Sequence, residues 1–263
     1  MTVSYDADMQ SECEDLRFTA SDGVTEIPHW IERYTVSTDA TVWVQIPSLS
    51  GNSSYYTYMY YGNISATTTS SSTEVFVAAD DFEDNNLSEY LGPDTGKFQT
   101  EAASTFGGSY GVGPVTDTDF TNDGIARFDL ASTSQGQIIR YMQYVDIVGG
   151  AGDEACTLFG VQSPVANNNN YAVCVELLGA DRLALVRDAE RNDSFGGVVS
   201  MASTPVSYST GWYEIEIDWQ TDNTIDVYLY DSVGTLVATT SSSSPDYTEG
   251  GFGFIYWGQH GGW

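Results

Sequence analysis

Three carboxylates stand at alternate positions in WYEIEIDW (212–219): Glu214, Glu216 and Asp218. On a strand that spacing puts all three on one face, about 7 Å apart along the chain. Two carboxylates roughly 5–5.5 Å apart are what retaining cleavage of a glycosidic bond employs, one as acid and one as nucleophile. Yet the chain has 37 acidic residues against 8 basic ones, so acids on any exposed face are expected, and a hydrated strand face is the stronger reading. A second set lies in DTDFTNDG (117–124). Asp117 opens it, and Asp119-x-Thr121-x-Asp123-Gly124 partly matches the spacing by which short loops aim alternate oxygens at calcium. No bidentate glutamate follows at the expected distance, which excludes a helix–loop–helix site. The two histidines, His29 and His260, are far apart, and there is no Gly-x-Ser-x-Gly elbow or Cys–His nucleophile signature. No glycine-rich loop leads into a helix, so nucleotide binding has no support.

Cys156 in EACTLFG and Cys174 in YAVCVEL lie on two apolar runs joined by SPVANNNN, which reads as a hairpin. In a hairpin they sit nearly opposite each other, and a bridge and two small buried thiols are both open at this point. Cys13 is unpaired either way. Three cysteines make neither a disulfide scaffold nor a zinc site.

Such residues must be positioned by strands. Short alternating runs bounded by turn residues recur along all 263 residues, and nothing reads as a long amphipathic helix. The runs in the first part are DLRF (15–18), EIPHWIERY (26–34), TVWVQI (41–46) and YYTYMYY (55–61). Pro28 marks an edge or bulge. The hydroxyl-rich ISATTTSSST (64–73) reads as a linker. Nine further runs follow, and the clearest pair is WYEIEIDW–QTDN–TIDVYLYD. There Tyr213, Ile215, Ile217 and Trp219 should meet Ile225, Val227 and Leu229 in a core, leaving Glu214, Glu216, Asp218 and Asp226 on the opposite face. Regular spacing of many short strands predicts an all-β chain. The expectation is a small β-sandwich domain over residues 1–67, then a larger jelly-roll sandwich over 68–263 with the linker at 64–73. Tyr56, Tyr58 and Tyr60 would share one strand face, suited to stacking on sugar rings or to burial at the domain junction. Burial is preferred, because both faces of that strand are bulky.

A net charge of -29 excludes nucleic acid, whose binding needs a basic footprint. No apolar run is long enough to span a membrane as a helix. Aromatics at 13% argue against disorder, and carboxylate repulsion on this scale is tolerable where concentrated salt screens it, so a halophilic origin is expected.

DLRFTASDGVTEIPHWIERY, ATVWVQIPSL and YMYYGNISAT together resemble an uncharacterised domain family common in haloarchaeal surface proteins and in viruses of haloarchaea, where YYGN is a hallmark ending. The resemblance covers about residues 10–67. The second part, through DDFEDNNLSEY and GWYEIEIDWQTDNTIDVYLYDSVGTLVAT, resembles concanavalin-like, laminin-G-like jelly rolls. That resemblance implies a calcium site between first and last strands, for which Asp81 and Glu83 are the matching positions. It also brings in laminarinase-type glycoside hydrolases, which share the sandwich, although their further glutamate after a bulge is replaced here by Thr221 and Asp222. The first family usually has a further strand before DLRF, where MTVSYDADMQ stands here, and such jelly rolls usually end with a strand beside their first, where this chain reads HGGW. Shortened ends are expected ahead of open edges that self-assembly by strand addition would fill. Such folds host many functions. The resulting expectation is a non-enzymatic extracellular module at a cell or virion surface, recognising a cell-surface glycan or protein partner. The alternatives are a structural subunit of a virion, spike or filament, and a glycan-cleaving enzyme.

Overall fold

The computed structural model describes residues 1–92, 95–102, 105–115, 123–127, 133–147, 154–163, 169–177, 181–189, 198–257 and 261–262. The chain divides into two compact units, Met1–Asp81 and Phe82–Trp263.

In the first unit, β1 (Thr2–Ser4), β5 (Asp39–Val44) and β4 (His29–Thr35) form one three-stranded sheet in that order. β3 (Glu26–Ile27), β2 (Arg17–Thr19) and β6 (Tyr58–Tyr60) form a second. Pro28 separates β3 from β4 and so marks the corner where the chain changes sheets. Its carbonyl accepts from Gln45 N–H at 3.0 Å. Val3, Leu16, Phe18, Ile27, Ala40 and Val42 fill the space between the two sheets. The segment MTVSYDADMQ is thus not a strandless leader, because β1 pairs with β5 through Val3↔Ala40.

The stretch expected to be a linker, 64–73, is instead tied to the first unit. Its backbone and hydroxyls supply what the neighbouring strands lack. Arg17 Nη2 donates to Thr67 O (2.7 Å), Ser70 Oγ accepts from Ile31 N–H (2.8 Å), and Ser71 N–H donates to His29 O (2.9 Å). A single-turn helix, α1 (Ser72–Val75), follows with Ser71 as its N-cap. The first compact unit runs to Asp81.

The second unit holds a large antiparallel sheet. Its order is β16 (Val199–Pro205), β15 (Arg182–Arg187), β14 (Tyr171–Glu176), β13 (Glu154–Val161), β20 (Glu249–Trp257), β10 (Asp123–Arg127), β7 (Tyr90–Leu91), with β11 (Thr133–Ser134) beside β20. A second sheet runs β19 (Leu236–Ser243), β18 (Thr224–Asp231), β17 (Gly211–Trp219), β12 (Gln137–Val145), β21 (Gly261–Gly262). A hairpin of β8 (Phe98–Glu101) and β9 (Gly111–Pro114) forms a separate two-stranded sheet, and its Phe98 and Val112 pack with Ile125, Phe254 and Tyr256 of the large sheet. Phe159, Tyr171, Val173, Leu183 and Leu185 of the large sheet pack with Ile215, Ile217, Trp219, Ile225, Val227 and Leu229 of the smaller one. The architecture is all-β, with this core between the two sheets as alternation in β17 and β18 predicts, and separate buried clusters around Cys156 and Cys174 and around Phe98 and Phe254.

At the bottom of that core Trp219 meets Phe159 and Tyr171 edge-on, with centroids 5.2 and 5.8 Å away. The large sheet makes room by a bulge between Leu158 and Val161. Gly160 sits in that bulge at φ +59°, where a Cβ would lie 3.0 Å from the Trp219 ring, so only glycine suits both backbone and ring. Cys156 and Cys174 are direct partners across β13 and β14 and form a disulfide, while Cys13 is free and buried. At one side of the sandwich the two edge strands close on each other, with Thr204 Oγ1 of β16 donating to Thr239 O of β19 at 2.7 Å.

Candidate functional site

The register of the smaller sheet decides what its outer face carries. β12 pairs with β17 so that Arg140 is opposite Glu216 and Met142 opposite Glu214. β17 pairs with β18 so that Glu216 is opposite Tyr228 and Asp218 opposite Asp226. β18 pairs with β19 so that Tyr228 is opposite Thr239 and Asp226 opposite Ser241. Because directly opposed residues share a face, one continuous row reads Arg140–Glu216–Tyr228–Thr239. A neighbouring row reads Ile138–Asp218–Asp226–Ser241. The complementary set, Ile215, Ile217, Val227 and Leu229, is fully buried on the other face. One alternation therefore makes both the core and the site.

Within this face the polar groups are joined. The Arg140 guanidinium pairs with Glu216 and reaches Glu214 Oε1 at 3.5 Å. Glu216 keeps only 12% of its side chain exposed, so its charge is held largely against that arginine. Gln220 Nε2 bridges Asp218 Oδ2 (3.4 Å) and Asp226 Oδ2 (2.7 Å), and Ser241 Oγ donates to Asp226 Oδ1 at 2.5 Å. Tyr228 and Tyr230, two residues apart on β18, stack with rings 6.5 Å apart and 24° from parallel. Desolvation first, and then the Asp226, Asp218 and Glu216 carboxylates, push the Tyr228 phenol above its ordinary value, a sign of negative potential across the face. At the other end Trp212 meets Tyr144 and Phe106 edge-on, at 5.4 and 5.8 Å. The face thus offers fixed hydrogen-bond acceptors, one bridged cation and flat phenol rings.

The sequence places Glu214, Glu216, Asp218 and Asp226 together correctly. It misses Arg140, Tyr228, Tyr230 and Gln220. The tyrosines were within reach, since they alternate with Val227 and Leu229 and must share a face with Asp226. Arg140 was not, because its register against Glu216 is set between strands far apart in the chain.

The other expected positions fare differently. Asp117, Asp119 and His260 lie outside the described residues, and of Asp123 only the backbone is described, opening β10. Glu83 Oε1 accepts from the backbone N–H groups of Ser109 (2.7 Å) and Tyr110 (2.9 Å), which pins that loop. Among the described residues, Asp81 and Glu83 included, no three His, Cys, Asp or Glu side chains come together to hold a metal ion. Tyr56, Tyr58 and Tyr60 are 72%, 51% and 47% exposed. Only Tyr58–Tyr60 join a strand, and that strand is the edge of its sheet. His29 is a buried strand residue, its ring tilted against Phe18 with centroids 5.2 Å apart.

Residues 12–97 match a family described as "Domain of unknown function (DUF2341)". No curated protein matches the chain in sequence. Among solved structures, lectin II from Ulex europaeus is 13% identical with a TM-score of 0.42, covering 68% of this chain and 90% of its own. The legume lectin-like domain from Entamoeba histolytica is 6% identical with a TM-score of 0.41, covering 63% and 85%. A glycoside hydrolase family 16 endo-glucanase from Bacteroides ovatus is 13% identical with a TM-score of 0.38, covering 63% and 74%. At these values the likeness carries no argument.

Proposed function

We propose that the outer face of the smaller sheet in the second unit recognises a neutral saccharide, without cleaving it, at an extracellular surface. The observation that carries this reading is the row Arg140–Glu216–Tyr228 with Tyr230 stacked beside Tyr228. A pyranose ring presents an apolar C–H face and an equatorial belt of hydroxyls. The first suits a phenol ring and the second suits carboxylates and a guanidinium held in fixed directions. The negative potential that acts on Tyr228 disfavours uronates and sulfated sugars.

Several features support binding over hydrolysis. Glu214 and Glu216 engage one guanidinium, and Asp218 and Asp226 share one amide, so the four acids serve as oriented acceptors. The chain turns away after Trp219 through Gln220–Asn223, where Asn223 N–H donates to Gln220 O at 3.2 Å, and that turn supplies no glutamate. An extracellular setting suits the Cys156–Cys174 bridge, because disulfides persist mainly in oxidising compartments. No helix among the described residues is long and apolar enough to cross a membrane.

The test is a glycan array with wild type, Tyr228→Ala and Glu216→Gln. Binding to neutral glycans that falls about tenfold or more in both variants, with no product released, supports the reading. Hydrolysis abolished by Glu216→Gln would replace it with the enzyme. Binding unchanged in both variants would move the site elsewhere.

A further inference from the structure

In a chain of net charge -29, residues 40–73 contain no Asp, Glu, Lys or Arg at all. The acidic residues resume at Glu74, and Asp39 stands immediately before the gap. Nor is this a buried stretch. Leu49, Tyr56, Tyr58, Met59, Tyr60 and Ile64 are exposed by 62%, 72%, 51%, 36%, 47% and 86%. Within it lies β6, whose single strand partner is β2 and whose other edge pairs with no strand among the described residues. Edge strands that are not meant to pair are usually very short or carry charges, prolines or bulges; Tyr58-Met59-Tyr60 is short but carries no charge, proline or bulge.

We propose that β6 is a self-association edge, pairing antiparallel with β6 of a second copy of this chain. Charge selects that occupant. A basic partner would be drawn to the acidic remainder of the surface, whereas a partner as acidic as this chain must approach where neither side bears charge. The second copy is such a partner, and it presents the same neutral edge. Antiparallel pairing about a two-fold axis at Met59 sets Tyr58 of one copy opposite Tyr60 of the other, and joins two β3-β2-β6 sheets into one of six strands. Tyr60 is already oriented by donating from its hydroxyl to Gly23 O at 3.2 Å. Below the strand, Gly62 turns at φ +99° and donates its N–H to the buried Asp15 carboxylate at 2.6 Å. Gln10 Nε2 holds Asn63 O (2.9 Å) and Ala66 O (2.8 Å). The edge is therefore fixed from behind before any partner arrives. This inference does not depend on saccharide binding by the second unit.

Sedimentation velocity on the full chain tests it, at salt concentrations where circular dichroism shows the chain folded. The expected result is a concentration-dependent dimer that tightens as NaCl rises, since screening removes repulsion between copies while aromatic burial remains. Tyr58→Lys with Tyr60→Lys should weaken dimerisation about tenfold or more while circular dichroism still shows the chain folded. Met59→Cys should form an intermolecular disulfide on mild oxidation far faster than Val233→Cys, a position 83% exposed on the other unit. A monomer at every salt and concentration would overturn the proposal. So would a dimer that the lysine pair leaves intact, a dimer strongest in dilute salt, or equal cross-linking at the two cysteines.

Discussion

His29 is 2% exposed on β4, its ring against Phe18, and its imidazole is held neutral. Burial, and then the nearby Arg17 charge, lower its pKa from 6.5 to about 4. Between those values the unfolded chain takes up a proton that the folded chain refuses, so stability is complete above pH 6.5 and is lost as pH falls towards 4. His29→Gln should remove that component. Denaturant titrations of wild type should lose up to about 1.4 kcal/mol per pH unit more than the variant across this window. Parallel stability–pH curves for the two proteins would contradict it. At this scale the sequence is a partial guide. That His29 is a strand-face residue was legible from EIPHWIERY, but its depth was not, because Phe18 reaches it from a strand of the other sheet. Gly62 likewise looks like a mere stop after YMYY until its N–H is seen to satisfy Asp15.

Among the elements, strands built on local alternation were legible and strands defined by distant partners were not. The β17–β18 hairpin was readable because QTDN sets its register and every second residue is bulky and apolar. β16, with the sequence VSMASTP, has no such pattern, and it becomes a strand by pairing with β15. The segment 64–73 shows the converse, since its composition suggests a linker while hydrogen bonds to Arg17, His29 and Ile31 bind it to the first unit. The disulfide joins β13 to β14 across 18 residues of sequence. Closing a loop of that length is worth about 3 kcal/mol. Cys156→Ser with Cys174→Ser should therefore lower the unfolding free energy of the second unit by about that amount, read from urea melts. Dithiothreitol should do the same to wild type and nothing to the variant. No change on reduction would mean the bridge does not form.

For the whole molecule, charge dominates. Asp15 and Glu176 are the fully buried acids among the described residues, so nearly all the described carboxylates face or approach water. Seven arginines and one lysine cannot neutralise them. Repulsion at this density opposes the compact state in dilute buffer, and molar salt shortens its reach to about 3 Å. Cooperative unfolding is expected as NaCl is withdrawn, with a melting temperature that climbs steadily with salt; one unchanged between millimolar and molar NaCl would contradict this. The acidity was plain in the composition, but the location of its gap at an exposed sheet edge needed the fold. Likewise the acids of β17 were visible at once, while their service as one array with Arg140, Tyr228 and Tyr230 emerged only when four strands were laid side by side.

Hydrogen–deuterium exchange with and without saturating amounts of the neutral oligosaccharide that binds best addresses that array most directly. Slowed exchange confined to 138–144, 212–218, 226–230 and 239–241 is the predicted result. Protection that appears instead around 55–64 or across the large sheet, with those strands unchanged, would contradict it.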